Sequence, residues 1–233
     1  MKTNVLELKH LSAGYGERPV LEEINLAIQP GERVAVIGPN GCGKSTLLRA
    51  VIAEMVEATG QVTLKGKSLD KIPTHERVRK GLAYLRQTRN VFPGLSVTEN
   101  LDLASWGNGA DRQIILESFP ALNGREKVRA GLLSGGERQA LATAMVLMRN
   151  ISVLLLDEPV AGLSPKNATM LLNGISALQK SKGFAMILVE HRLKLIRPHV
   201  DRVIILVRGK ITEDTNDTDI LEDPNRLGTH YQL

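Results

Sequence analysis

The chain has 233 residues, 42% of them hydrophobic, enough to bury a core in one domain with or without a subdomain and too many for a disordered segment. No apolar run approaches the roughly 18 to 20 residues that crossing a bilayer requires, the start Met1 to Leu8 lacks the apolar centre of a secretory signal, and the lone cysteine, Cys42, excludes an internal disulfide; a reducing cytoplasm is the expected compartment. The formal net charge of +5 does not point to nucleic acid, because one Trp, three Tyr and three Phe are too few for a base-stacking platform.

In chain order, Val5 to Lys9 and Val20 to Ile28 alternate as strands around a Gly14-Tyr15-Gly16 turn, and with Gln61 to Gly66 they predict a small antiparallel sheet. Between them, Arg33 to Ile37 is an apolar strand that leads into Gly38-Pro39-Asn40-Gly41-Cys42-Gly43-Lys44-Ser45-Thr46, followed by a helix over Thr46 to Ala53. A short helix is predicted over Thr74 to Lys80 with Thr74 as its cap, then a strand over Leu82 to Leu85. Ser96 and Glu99, at capping-box spacing, open a helical stretch that runs to Asn150, with Gly107-Asn108-Gly109 as a surface loop. Strand Val153 to Leu156, helix Pro165 to Lys180, strand Ala185 to Val189, a short helix from His191 and strand Val203 to Val207 complete the pattern. Such alternation predicts a largely parallel sheet covered by helices.

Basic residues gather at Arg77, Arg79, Lys80, Arg86 and Arg89 and again at Arg192, Lys194, Arg197 and Arg202. The tail carries Glu213, Asp214, Asp217, Asp219, Glu222 and Asp223. Both sets read first as solvated faces and second as a surface for a partner or lipid.

The chemistry lies in three motifs. Three glycines let the backbone of residues 38–45 curl so that amides converge on phosphate oxygens at a helix N-terminus, with Lys44 reaching the β and γ phosphates and the Ser45 hydroxyl reaching Mg²⁺. Cys42 reads as a small filler rather than a nucleophile, since no histidine or second cysteine neighbours it in sequence. The second motif, Leu154-Leu155-Leu156-Asp157-Glu158, is a buried strand that delivers one carboxylate to a metal, through water, and the next to an attacking water as general base. The third, Ser134-Gly135-Gly136-Glu137, has two readings: a capping box for the helix through Met148, or backbone amides exposed as a second anion site. The three together describe a nucleotide hydrolase.

From Val5 to Lys210 the chain resembles an ATP-binding cassette (ABC) ATPase. The resemblance implies an α/β fold: a P-loop NTPase (RecA-like) core with a mostly parallel sheet, an antiparallel β subdomain near the N-terminus and an inserted helical subdomain. It implies a single domain over 1–233, with 1–91 and 150–233 as the catalytic core and 92–149 as the helical part. Tyr15 matches the aromatic that stacks on adenine, Gln87 the glutamine that senses metal and attacking water, Leu133 to Gln139 the signature LSGGERQ, and His191 the switch histidine at the γ phosphate. Glu158, His191 and Gln87 are then catalytic, and Gly38 through Thr46 bind nucleotide. Ser45, Gln87 and Asp157 serve Mg²⁺, while Ser134, Gly135, Gly136 and Glu137 serve the ATP of a second cassette facing head to tail.

The runs Val91 to Leu101, Phe119 to Leu122 and Glu158 to Pro165 resemble the ATP-binding subunits of branched-chain amino-acid and urea importers, and in part those of lipopolysaccharide exporters. The implied partners are transmembrane permease subunits, docked on the helical stretch Phe92 to Asn150, and an extracytoplasmic solute-binding protein, with the chain peripheral at the cytoplasmic face of the membrane and no nucleic acid. A soluble cassette such as an iron-sulfur assembly ATPase is the competing reading. Two positions depart from the family pattern. Ser164 replaces an aspartate that couples the two ATP sites yet still caps the next helix before Pro165, and Met145 replaces an arginine and is expected to pack.

Overall fold

The computed structural model describes residues 3–87, 90–105 and 112–231; Arg89 and the loop Gly107 to Gly109 lie outside the described residues. In chain order the elements are β1 (Leu6–Tyr15), β2 (Arg18–Ile28), β3 (Arg33–Ile37), α1 (Lys44–Ile52), β4 (Glu57–Leu64), β5 (Lys67–Ser68), α2 (Thr74–Arg79), β6 (Leu82–Leu85), α3 (Val97–Ser105), α4 (Arg112–Ser118), α5 (Gly135–Leu147), β7 (Val153–Asp157), α6 (Pro165–Lys182), β8 (Ala185–Val189), α7 (Leu193–Ile196), β9 (Arg202–Val207), β10 (Lys210–Thr215) and α8 (Pro224–Tyr231). One sheet has the order β2-β1-β4-β5 and is antiparallel; the other, β10-β9-β3-β8-β7-β6, is parallel except for β10. The expected α/β class and the two kinds of sheet are therefore present.

The parallel strands are buried on both faces, as their unbroken apolar sequences require. Leu154 and Leu156 of β7 join a cluster with helices α3 to α6, while Val153 and Leu155 join another with α1 and the antiparallel sheet. Each such fully buried leucine contributes on the order of 2 kcal/mol. The sheet is thus the middle layer, and its strand ends are held from both sides.

Several expectations shift. Tyr15 pairs with Arg18 inside the β1–β2 ladder, so the turn falls at Gly16 and Glu17; register shifts within β1 had hidden its alternation. The helix after the glycine loop starts at Lys44 rather than Thr46. Thr74 does not cap α2: Pro73 precedes the helix, and the Thr74 hydroxyl donates to the Ala53 carbonyl instead. Strand β10 and helix α8, which the polar tail did not announce, extend the parallel sheet and cover its end.

The charged clusters are solvated faces only in part: Arg79, Lys80, Arg86 and Lys194 are exposed, while others are buried or ion-paired. Arg202 is paired with Glu32 and Asp214, Arg197 with Asp219 and Glu222, and Arg226 with Asp217, so much of the acidic tail answers arginines of this chain. Arg77 is buried at 6% exposure and donates to the carbonyls of Ala50, Val51, Leu69 and Ile72. It closes the C-terminus of α1, where a positive charge also meets the negative end of the helix dipole. Replacing Arg77 with Met should cost about 3 kcal/mol, because buried carbonyls bonded to a charged donor are left unsatisfied. Urea unfolding is the check, with the midpoint falling at unchanged slope.

Candidate functional site

Four neighbouring strands end at the same edge of the parallel sheet. Register brings Val36 of β3 opposite Val189 of β8, Asp157 of β7 opposite Val189, and Leu85 of β6 opposite Leu156. Whatever follows these residues converges at the carboxyl end of the sheet, where open α/β folds place their ligands.

After β3 the chain curls. Gly38 has φ 152°, and a Cβ there would come 2.0 Å from the Leu206 carbonyl oxygen of β9, so only glycine fits. Gly41, at φ 78°, is exposed and faces open space. The loop is anchored from outside by the Gly209 amide, which donates to the Cys42 carbonyl at 3.0 Å. Cys42 is buried and burial raises its thiol pKa, which fits a filler and not a nucleophile. Lys44 is 6% exposed, and its Nζ donates to the carbonyls of Gly38 at 2.8 Å and Pro39 at 2.9 Å. The ammonium therefore lies folded over the loop it belongs to.

Beyond β7, Asp157 is buried and Glu158 half-buried. Ser45 Oγ donates to Asp157 Oδ1 at 2.8 Å, and the Tyr84 hydroxyl donates to Asp157 Oδ2 at 3.0 Å. Glu158 adopts φ 50°, a left-handed conformation rare for a side chain of its size and of the kind that collects at working sites. Its amide donates to the Val189 carbonyl at 3.0 Å. Its carboxylate lies between two groups: Gln87 Nε2 donates to Oε2 at 3.1 Å, and His191 Nε2 is 2.9 Å from Oε1. His191 precedes α7 rather than starting it, and its ring turns to Glu158 instead of capping a helix.

The chemistry of this edge is a curl of amides, a lysine, a hydroxyl beside a carboxylate, and a second carboxylate flanked by an amide and an imidazole. A hard cation fits the oxygen donors Ser45 and Asp157, and among the described residues no group of three or more His, Cys, Asp or Glu is placed to hold a metal ion by itself. A family model described as ABC transporter matches residues 21–161, more than half of the chain. This chain belongs to the ABC transporter family. It is 38% identical over 225 residues to the probable branched-chain amino acid transport ATP-binding protein LivF of Archaeoglobus fulgidus, with 94% of each chain covered. Identity is 33% to the high-affinity branched-chain amino acid transport ATP-binding protein BraG of Pseudomonas aeruginosa, over 94% of this chain and 96% of that one. The fold matches that of a nucleotide-free ATP-binding cassette from an ABC transporter with a TM-score of 0.84 at 25% identity, over 96% and 97% of the two chains.

Elsewhere in the cassette, Ser134 to Glu137 open α5. The capping box forms: Glu137 N donates to Ser134 Oγ at 3.3 Å and Ser134 N to Glu137 Oε2 at 2.8 Å, and the bond from the Ser134 amide holds the Glu137 carboxyl below its usual range. Ser134 and Gly135 remain exposed, with their amides at the helix start. No hydrogen bond among the described residues joins Ser134 to Glu137 with Lys44, Ser45, Asp157 or Glu158 of the same chain. Tyr15 is 42% exposed at the end of β1 and reaches α1 through Arg49 Nη1, 3.0 Å from its hydroxyl. Ser164 caps α6 by accepting from the Asn167 amide at 3.3 Å, and Met145 packs half-buried against the core, as expected for both.

Sequence reasoning gave no role to Tyr84 or Glu190, and none to Gln139 beyond its place in the signature. Gln139 Nε2 donates to the Pro159 carbonyl at 2.8 Å, tying the helix after Ser134 to the turn after Glu158. Glu190 is buried, and its Oε1 accepts the amides of His191 at 2.8 Å and Arg192 at 3.3 Å, which bends the backbone that presents His191. A glutamate adjoining a buried strand was the one available signal.

The two loop glycines separate structure from chemistry. Gly38→Ala should destabilise the ligand-free cassette by more than about 3 kcal/mol through collision with β9, whereas Gly41→Ala should cost only about 1 kcal/mol, the price of a left-handed alanine. Thermal unfolding of the two variants without nucleotide checks the contrast.

Proposed function

We propose that this cassette hydrolyses ATP and drives a membrane importer, with a branched-chain amino acid or a similar small polar solute as cargo. The observation that carries the hydrolytic reading is the Glu158 carboxylate, held in a left-handed backbone between Gln87 and His191 at the edge where the glycine loop ends. The names of the LivF and BraG relatives support the cargo class.

In this reading the loop Gly38 to Thr46, through its amides other than that of Pro39, and the N-terminus of α1 surround the phosphates. Lys44 leaves the carbonyls of Gly38 and Pro39 for the β and γ oxygens, exchanging two neutral acceptors for charged ones. Ser45, Asp157 and Gln87 would hold Mg²⁺, which would supply positive charge beside those oxygens. Glu158 accepts a proton from the water that attacks the γ phosphorus; the P–O bond to the β phosphate breaks and ADP leaves. His191 orients Glu158 and reaches toward the γ phosphate, and Tyr15 carries the adenine. Ser134, Gly135, Gly136 and Glu137 close over the ATP of a second copy, so the nucleotide joins two cassettes until it is cleaved.

The assembly would follow the same logic. No helix of the described residues is long and apolar enough to cross a membrane, so permease subunits would supply the path. We assign residues 92–149 as the helical subdomain on which they dock, with 1–91 and 150–233 as the core and the cassette peripheral at the cytoplasmic face. Exposed Phe92 and Leu103 lie on that helical part, beside half-buried Met145.

Glu158→Gln should keep the ATP dissociation constant within about twofold and lower phosphate release by at least about 100-fold, the usual scale of a general base. Gel filtration in ATP should then show a stable dimer. Turnover within about tenfold of the unmodified cassette would remove Glu158 from this role.

A further inference from the structure

Two turns leave the open edge of the parallel sheet side by side, one after β7 and one after β8. The first, Pro159 to Leu163, is tightened by its own amides: Ala161 donates to the Glu158 carbonyl and Leu163 to the Val160 carbonyl, both at 3.1 Å. It is also tied to its surroundings. The Glu158 amide bonds to the Val189 carbonyl, and Gln139 of α5 donates to the Pro159 carbonyl. This turn is the fixed one of the two.

The second turn, Glu190 to Arg192, carries His191 between β8 and α7. Glu190 Oε1 accepts the amides of His191 and Arg192, which folds the segment back on itself. Arg192 Nη1 then crosses to the first turn and donates to the Leu163 carbonyl at 3.0 Å. The contact of His191 Nε2 with Glu158 Oε1, at 2.9 Å, joins the same two segments. Adjacent residues of one turn thus reach two points of the other.

The His191 side chain is 42% exposed, and a single bond from such a ring to a carboxylate at the surface is weak, because water serves both groups and the ring loses freedom in making it. A second bond from the neighbouring residue spends that freedom beforehand. Glu190 carries a sign of the same purpose. It is 3% exposed, and its Oε2 has no hydrogen-bond partner among the described residues. A buried acceptor left bare is costly, and an apolar side chain would fill the space without that cost. Holding the two amides is what an apolar side chain could not do.

We infer that Arg192 and Glu190 are positioning residues that clasp the His191 turn to the turn after Glu158, and so hold the imidazole against the Glu158 carboxylate. The inference rests on the roles proposed above for Glu158 and His191.

The test is the kcat and KM of ATP hydrolysis by the full chain, with nitrogen NMR of the histidine-labelled chain, free of nucleotide and metal, as a second readout. Arg192→Met keeps the stem and removes the donor; kcat should fall at least about tenfold with KM within about twofold, since the displaced group serves the reaction and not ATP binding. Arg192→Lys can still make the one bond that Nη1 makes and should hold kcat within about threefold of the unmodified chain. Glu190→Gln keeps an oxygen for the two amides and should do the same, whereas Glu190→Leu should match Arg192→Met. In a His191→Ala chain, Arg192→Met should change kcat by less than about twofold, because its effect passes through the ring. An arginine that served the fold alone would lower kcat by the same factor with and without His191. Thermal unfolding monitors each variant, and Arg192→Ala serves if Arg192→Met folds poorly. The His191 Nε2 signal, identified by its absence from His191→Ala, should show a hydrogen bond in the unmodified and Arg192→Lys chains and lose it in Arg192→Met. An unchanged kcat in Arg192→Met, or a loss that persists in full beside His191→Ala, would overturn the inference. Full kcat in His191→Ala removes the histidine from the reaction and the clasp with it; a loss there beside a normal Arg192→Met leaves the proposed role of His191 intact and sinks only the clasp.

Discussion

Register in the parallel sheet is the constraint on which the site depends. Asp157 lies opposite Val189, and Leu156 opposite both Leu85 and Leu188, so the residues that follow β6, β7 and β8 emerge at one level. Side chains alternate between the two faces with a period of two, and a slip of one residue in β7 would drive Leu154 and Leu156 out of one core and into the other. The cores differ in their partners, helices on one side and a second sheet on the other, so the slip would leave both badly filled. Packing of plain aliphatic residues thereby fixes where Asp157 and Glu158 stand, with no polar contact needed to choose the level.

Polar groups then fix direction. Lys44, Arg77, Asn100 and Gln179 are all buried, and each donates to main-chain carbonyls rather than to a carboxylate. Asn100 binds the Phe92 amide and the carbonyls of Phe92, Leu95 and Ser96, which sets the path of the chain into α3. Arg77 does the same for the far end of α1, opposite the loop that holds Lys44. Buried donors of this kind are costly unless satisfied, so they specify one arrangement of loop and helix more sharply than an apolar contact would.

What the sequence made legible follows from range. The glycine loop, the strand ending in Asp157 and Glu158, and the cap at Ser164 are local patterns, each written within about ten residues, and they appear in the fold where the pattern put them. The level of Gln87 and His191 was legible only through resemblance, since each follows a strand whose neighbour lies far along the chain. Contacts that join distant segments were not legible: Tyr84 to Asp157, Arg49 to Tyr15, Arg77 to four carbonyls, Gln139 to Pro159. The arginines of the basic runs and the acids of the tail looked like solvated faces for the same reason, because Arg202 meets Glu32 and Asp214 from opposite directions in sequence. Thr74 misled because a threonine at a helix start is read as a cap, and here a carbonyl outside the helix, that of Ala53, took its hydroxyl.

The two glycines at the start of α5 bear on the reading of a shared nucleotide. A Cβ on Gly136 would come within 2.6 Å of Asn167 Nδ2, so the first turn of α6 is one internal reason for a small residue there. Gly135 has no such reason: it is exposed, and a Cβ would meet nothing within 4 Å. Glycine in a helix costs roughly 0.5 to 1 kcal/mol relative to alanine, and the Ser134 and Glu137 cap does not require it. Under the proposed function, a small residue and amides at an exposed helix N-terminus would serve something that approaches from outside the chain. An anion held by a second copy would have the right charge for that end of the helix, and glycine would permit its close approach to the backbone.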